Sequence, residues 1–333
     1  MANLLEKASI VLTPTGYSVD AIHNVKPSSE PFGDMTLIQN GTTTRIDENG
    51  LVVDNATDIP RIDYSKGSGA ILSEIQSVNQ VRQSEDLTQS PWAGAGEFTS
   101  SVTMTDPRGN TSSVSNIFRY SSASNAGKFQ SAALASTGQG VGLSAWVYNP
   151  DGGTQTVWIG YGNAGSGNGS FHSVTNSWQR IEHITTGGTF SEFHIAPAAS
   201  SNLRVWGCQF EIGFLSGGVG KVTSYIPTTS GSVTRTRDEY LNGGDASLIG
   251  AQEGVLYMEA ATLANAGSKA IALSASNSAA NRVVIFYSSI SNTIQGRVQA
   301  SATTTIPING TVTDNTDFNK IAFKYKSGDL ALW

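Results

Sequence analysis

Hydrolysis of a glycosidic bond needs two carboxylates facing one another across a cleft. Glu182, Glu192 and Glu211 fall on strand-like segments, but they stand singly, and no repeat of β-helix length accompanies them. No catalytic residue is assigned, and the chain reads as a non-enzyme. The four histidines, His23, His172, His183 and His194, offer no pair at metal-ligand spacing on a helix. Turns at Asp151 near Asn149 and at Asp314 with Asp317 carry the hard oxygen ligands that calcium takes, in numbers too small to enclose it. Neither a metal nor a cofactor is expected. The glycines Gly160, Gly162, Gly217 and Gly218 follow no strand-to-helix switch of the kind that cradles phosphate, so they read as loops. The single cysteine, Cys208, sits in an apolar run and reads as a structural thiol.

Sugar binding is the sharper expectation, because pyranose rings stack on aromatic faces while neighbouring amides and hydroxyls satisfy the sugar oxygens. Trp158 and Tyr161 precede a polar loop from Asn163 to Ser170, and Phe171 and His172 follow it. Trp158, Tyr161 and His172 are the candidate carbohydrate-binding residues, with core packing as the competing role for Trp158. Trp146, Trp178 and Trp206 are read as core.

The elements that must position these groups are strands. Charged residues make up 14% of the 333, against about 25% in ordinary globular domains. Thr, Val and the 36 Gly are frequent instead, which disfavours long exposed helices and points to an all-β fold. The length suggests two or three domains. With a net charge of −6 and no Lys/Arg cluster, the electrostatic term that drives phosphate binding is missing, so no nucleic-acid partner is expected. No run of about 18 apolar residues offers a membrane span, and the start, Met1-Ala-Asn-Leu-Leu-Glu-Lys7, lacks a signal peptide's apolar stretch. Membrane insertion is not expected.

Three regions separate. Residues 1–84 carry Leu4, Leu5, Ile10, Val11 and Leu12 followed by Pro14, Pro27 and Pro31, a pattern that interrupts any helix and reads as an extended arm. Short strands are expected at Met35–Ile38 and Thr43–Ile46, between turns at Asn40-Gly41 and Asn49-Gly50, and a short helix or connector at Ile71–Val81. Such strands bury too little alone, so an intertwined stalk in a homotrimer is expected. Residues 85–240 show six or more strands, including Phe98–Val102, Ser115–Tyr120, Leu203–Ile212 and Val141–Tyr148. There Val141, Leu143, Ala145 and Val147 share one face, while Trp146 and Tyr148 share the other. A second sandwich spans 246–333, with a strand at Asn319–Tyr325, and stops inside the strand ending at Trp333, which reads as an incomplete sheet of a longer protein.

Several passages resemble a known family. The opening Asn3-Leu-Leu-Glu-Lys-Ala-Ser-Ile-Val-Leu-Thr-Pro-Thr15 resembles that of fibre and appendage proteins of tailed bacteriophages, particularly those of Bacteroidetes hosts including the crAss-like group. Thr44-Arg-Ile46, Gly50-Leu-Val-Val-Asp54 and Ile59-Pro-Arg-Ile-Asp-Tyr64 look like the segment that precedes their lectin-like modules. Ser84-Glu-Asp-Leu87 with Trp92 resembles the start of such a module. Asn176-Ser-Trp-Gln-Arg180, Val205-Trp-Gly-Cys-Gln-Phe-Glu211 and Thr223-Ser-Tyr-Ile-Pro-Thr228 resemble phage jelly rolls related to carbohydrate-binding modules. Residues 246–333 are similar to a concanavalin-like or laminin-G-like sandwich. The passage Ile71-Leu-Ser-Glu-Ile-Gln76 departs from the family's Leu-Glu-Pro-Gln type.

The resemblance implies a structural virion protein, a head or tail fibre, made in the host bacterial cytoplasm. It would be anchored to capsid or tail proteins through Leu4, Leu5, Ile10, Val11 and Leu12. Its jelly rolls would be presented to a host-surface glycan. The rival reading is a tail-spike enzyme that degrades surface polysaccharide.

Overall fold

The computed structural model describes residues 4–26, 34–135, 139–161, 167–185, 190–213, 220–244, 247–263, 270–274, 280–301, 303–304 and 307–333. Apart from a single turn of helix at Leu4–Lys7, its regular elements are strands. The all-β expectation holds. Among the described residues no helix is long and apolar enough to cross a membrane.

The first strands are β1 (Val11–Ser18), β2 (Ala21–Lys26), β3 (Met35–Ile38), β4 (Thr43–Ile46), β5 (Val52–Asn55), β6 (Ile62–Asp63), β7 (Ala70–Ile71) and β8 (Ser77–Asn79). Of the short helix or connector expected at Ile71–Val81, the structure forms a connector, residues 72–76, and no helix. Ile71 is instead held opposite Ile62 in a strand pair, and Ser77–Asn79 is extended. The expected extended arm is likewise folded: β1 and β2 form an antiparallel hairpin, and β3 extends its sheet.

Two five-stranded sheets follow. One has the order β10 (Glu97–Thr105), β11 (Thr111–Arg119), β18 (Ser201–Ile212), β13 (Val141–Tyr148) and β16 (Gln179–Thr185). The other has the order β15 (Asn168–Val174), β14 (Gln155–Tyr161), β17 (Phe190–Ala196), β12 (Gly127–Ala135) and β9 (Ala93–Ala95). Between them lies one apolar core that includes Leu87, Ile117, Val141, Leu143, Ala145, Val147, Phe193, Ile195 and Phe210. The alternation read in Val141–Tyr148 is thus realised: the four odd positions are fully buried, and Trp146 points to the other face, opposite Trp206.

The chain between residues 35 and 84, expected to be a separate stalk, lies against this sandwich in the same molecule. Val52, Trp206 and Tyr225 form one buried cluster, with Ile46, Trp146 and Trp178 packed on it. β8 pairs with β19 (Val233–Arg235), and β20 (Glu239–Leu241) closes the N-terminal sheet by pairing with β3. Arg61 reaches Glu74 at 2.7 Å and also Asp238, while Arg235 stands 3.4 Å from Glu74, all four nearly solvent-free. Leu37, Val52 and Ile62 are thus buried within one chain, while Ile38 remains 44% exposed.

The C-terminal sandwich sets β21 (Glu253–Ala260), β27 (Asn319–Lys326) and β28 (Ala331–Leu332) against a second sheet. That sheet holds β22 (Ala270–Ser274), β23 (Arg282–Tyr287), β24 (Thr293–Ala300), β25 (Thr303–Thr304) and β26 (Ile308–Thr311). Leu256, Ile285, Tyr287, Ile294, Ile321 and Phe323 form its core.

Candidate functional site

Of the three residues singled out for sugar stacking, Tyr161 and His172 fall on one face of the sheet and Trp158 on the other. On β14 the side chains alternate, so Tyr161 falls on the face of Val157 and Ile159 and packs on the central core, while Trp158 faces the other way. Trp158 is 2% exposed. Its indole lies over Gly160 and Gly169, where an added Cβ would come within 2.8 and 2.4 Å of the ring, and His194 meets it edge-on at 5.3 Å. A ring packed in this way has no face left for a pyranose. His172 sits opposite Val157, with Nε2 2.8 Å from Ser170 Oγ, and burial holds its imidazole below the ordinary value.

The carboxylates do not converge either. Glu211 is fully buried. It accepts hydrogen bonds from Ser77 Oγ, from Gln209 Nε2 at 2.8 Å, and from Thr223 N–H at 2.8 Å and Thr223 Oγ1 at 2.6 Å. Glu182 is exposed near Arg180, and Glu192 lies in the other sheet opposite Ser131. Asp151 accepts from Asn202, and Asp314 caps the Thr316 N–H, so the acidic turns serve as local anchors. Among the described residues no group of three or more His, Cys, Asp or Glu could hold a metal ion.

An open aromatic surface does exist, on the outer face of the β10–β11–β18–β13 sheet. Ile117, Leu203 and Val205 point into the core, so Phe98, Phe118, Asn202, Ser100, Asn116, Arg204 and Tyr148 point out. Two cross-strand rows result: Phe98–Phe118–Asn202, and beside it Ser100–Asn116–Arg204–Tyr148. The hairpin of β4 and β5 covers the part of this face around Trp206. Phe98 remains 66% exposed and Tyr120, just past β11, 53% exposed. Their ring centroids are 4.8 Å apart and their planes inclined by 40°.

The chain holds this platform in place. Tyr120 N–H donates to Gly96 O at 3.1 Å. Gly96 has φ 58°, and a Cβ there would come within 2.6 Å of Ser121 Cβ, so only glycine fits. Arg119 clamps the following loop by donating to Ser121 O, Pro197 O and Ala123 O at 2.8–2.9 Å.

Beside the rings runs a chain of polar groups. Arg204 Nη1 donates to Asn116 Oδ1, Asn116 Nδ2 lies 3.3 Å from Asn202 Oδ1, and Asn202 Nδ2 donates to Asp151 Oδ1 at 2.9 Å. Burial lowers the pKa of Arg204, against the pull of Asp151. Exposed rings next to fixed amide, guanidinium and carboxylate groups can stack a sugar ring and satisfy its hydroxyls at once. In the sequence, Phe98 and Tyr120 sat inside predicted strands without a local mark, because exposure on one face depends on what covers that face.

The sequence matches no protein-family model and no curated protein. Among solved structures it is similar to the CBM22-1–GH10 modules of Clostridium thermocellum endo-1,4-beta-D-xylanase 10B, with TM-score 0.28 and 11% identity. That match covers 43% of this chain and 28% of the other, so this chain spans under a third of that protein. The N-terminal CBM22-1–CBM22-2 tandem domain of a Paenibacillus barcinonensis protein matches with TM-score 0.30 and 10% identity, over 79% of this chain and 89% of that one. The enzymatically active domain of bacteriophage CBA120 tailspike protein 4 matches with TM-score 0.28 and 13% identity, over 40% and 21%.

Proposed function

We propose that the chain is a structural fibre protein of a tailed-bacteriophage virion, on head or tail, that binds host-surface glycan through its central jelly roll. The observation that carries the glycan reading is the exposed Phe98–Tyr120 pair beside the Asn116–Arg204–Asn202–Asp151 chain. The virion reading rests on the resemblance of the N-terminal and module-flanking passages to phage appendage proteins. The anchor is the N-terminal region of Leu4, Leu5, Ile10, Val11 and Leu12, where Val11 and Leu12 belong to β1 and are only half-buried. A homotrimer would assemble through residues 1–84, where Ile38 remains 44% exposed.

The test pairs two measurements. Isolated host-surface polysaccharide titrated into the protein should bind, and Phe98→Ala with Tyr120→Ala should weaken binding at least tenfold while leaving the thermal midpoint in place. Unchanged binding removes the platform from the reading. Separately, particles assembled with a fibre lacking residues 1–26 should lack the fibre; full occupancy removes the anchor.

A further inference from the structure

The N-terminal sheet holds a cluster that neither the core nor the glycan platform uses. β1 ends at Ser18 and β2 starts at Ala21, so Val19 and Asp20 make a two-residue turn. Asp20 has φ 63°, donates its N–H to Asp58 O at 2.7 Å, and accepts Leu37 N–H at 2.7 Å. The turn is thus tied to the rest of the chain through both backbone groups of one residue. Across it, His23 Nε2 stands 2.9 Å from Ser18 Oγ, and His23 Nδ1 stands 2.9 Å from Asp34 Oδ2. The second oxygen of Asp34 is fixed by Asn24 N–H at 2.8 Å.

This is the order a nucleophile, its base and the base's orienting group require. The hydroxyl meets the far ring nitrogen, the carboxylate holds the near one, and the carboxylate is itself held. Exposure is graded in the same order: Ser18 is open, the His23 side chain is 37% exposed and that of Asp34 16%. Ser18 Oγ also lies 3.2 Å from Val19 O, so its hydrogen has a second acceptor when the imidazole is protonated. The Val19 N–H follows the hydroxyl directly and lies in the turn, outside the β1–β2 pairing. In sequence it is the residue after the serine, the one whose N–H serves an oxyanion in serine hydrolases.

We infer that Ser18, His23 and Asp34 form an acyl-transfer site that hydrolyses carboxylic esters presented from solvent. Ser18 Oγ bonds to the ester carbonyl carbon while its proton passes to His23 Nε2. Collapse of the tetrahedral adduct breaks the C–O bond to the alcohol, which leaves with that proton. Water then gives a proton to His23 Nε2 and attacks the acyl-Ser18 ester. The carboxylic acid departs and the proton returns to Ser18 Oγ. Asp34 orients the imidazole and balances its charge. With an exposed nucleophile, base catalysis of about 10²–10⁴-fold is the main contribution. The site is accordingly slow, and accessible acyl esters are its substrate class. Ester hydrolysis here and glycan binding at the platform stand or fall separately.

The full chain is incubated with a fluorophosphonate probe, and the modified residue is located by mass spectrometry. One adduct on Ser18 is expected, absent from Ser18→Ala and forming at least about 100-fold more slowly in His23→Gln. The wild-type rate should rise with pH to a plateau as the imidazole loses its proton, a readout that does not depend on any variant folding. The assignment is overturned by an adduct on another residue, by a rate unchanged in His23→Gln, by a flat pH profile, or by no adduct after prolonged incubation.

Discussion

The Tyr225 hydroxyl and Ser84 Oγ stand 2.6 Å apart in a buried joint that binds two passages 141 positions apart in sequence. The Tyr225 ring packs on Trp206 at 4.8 Å, its hydroxyl also donates to Glu85 Oε1 at 3.1 Å, and Ser84 Oγ accepts Thr228 N–H at 2.9 Å. Thr44 Oγ1 donates to Tyr225 O from the far side. Passages around residues 44, 84, 206 and 223–228 therefore meet in one buried scaffold joint.

Tyr225→Phe leaves Ser84 and Glu85 short of a buried partner. The expected cost is about 1–3 kcal/mol, read as a lower urea midpoint with unchanged slope. An unchanged midpoint would mean that the hydroxyl contributes nothing to the joint.

Glu74 is expected to make stability acid-sensitive. Burial works against its ionised form, but the charges of Arg235 and Arg61, with the Ser224 hydrogen bonds, outweigh it and hold the carboxyl well below its ordinary value of 4.5. Because the folded value is depressed, the contribution is complete above the unfolded value and disappears as pH falls below about 4.5 toward the folded one. Glu74→Gln leaves two buried guanidinium groups with one carboxylate, at a cost of about 3–5 kcal/mol at neutral pH. Denaturation midpoints of both proteins at pH 7 and pH 3 should converge toward the acid side.

Trp158→Ala should act on stability, by about 3–5 kcal/mol, with glycan affinity of the folded fraction retained. A thermal scan beside a binding titration separates the two. Lost affinity at an unchanged thermal midpoint would return Trp158 to the site.

Removing residues 1–84 should prevent native packing. The cut takes away Val52, Ser84 and the partners Arg61 and Glu74, leaving Trp206 and Tyr225 uncovered and Arg235 and Asp238 unmatched. Loss of near-ultraviolet circular dichroism is the expected outcome, and a native spectrum would show that the sandwich stands alone.

Cys208 is fully buried, and burial pushes its thiol far above the ordinary value. A thiol reagent such as DTNB should leave the native chain unmodified and react with one equivalent in denaturant. Rapid reaction of the native chain would contradict the core assignment.

Much of the strand content was legible in the sequence, because alternation is local. Val141–Tyr148, Leu203–Ile212 and Asn319–Tyr325 declare a buried and an outward face within seven to ten residues, and the observed strands lie within two residues of those bounds. The strands β9, β12, β15 and β17 carry Gly, Ser and Ala at facing positions, so no period of two stood out. The separation of Trp158 from Tyr161 is local as well, since residues three apart on a strand face opposite ways.

What the tertiary structure alone decided is which of these faces water reaches. Arg61, Glu74, Arg235 and Asp238 look like ordinary solvated charges along the chain, and become a buried network only when segments up to 177 positions apart close on one another. The same closure covers Val52 and Trp206 while leaving Phe98 and Tyr120 bare. Side-chain alternation is set along the strand itself. Exposure is set by what distant segments bury, and no local pattern encodes that.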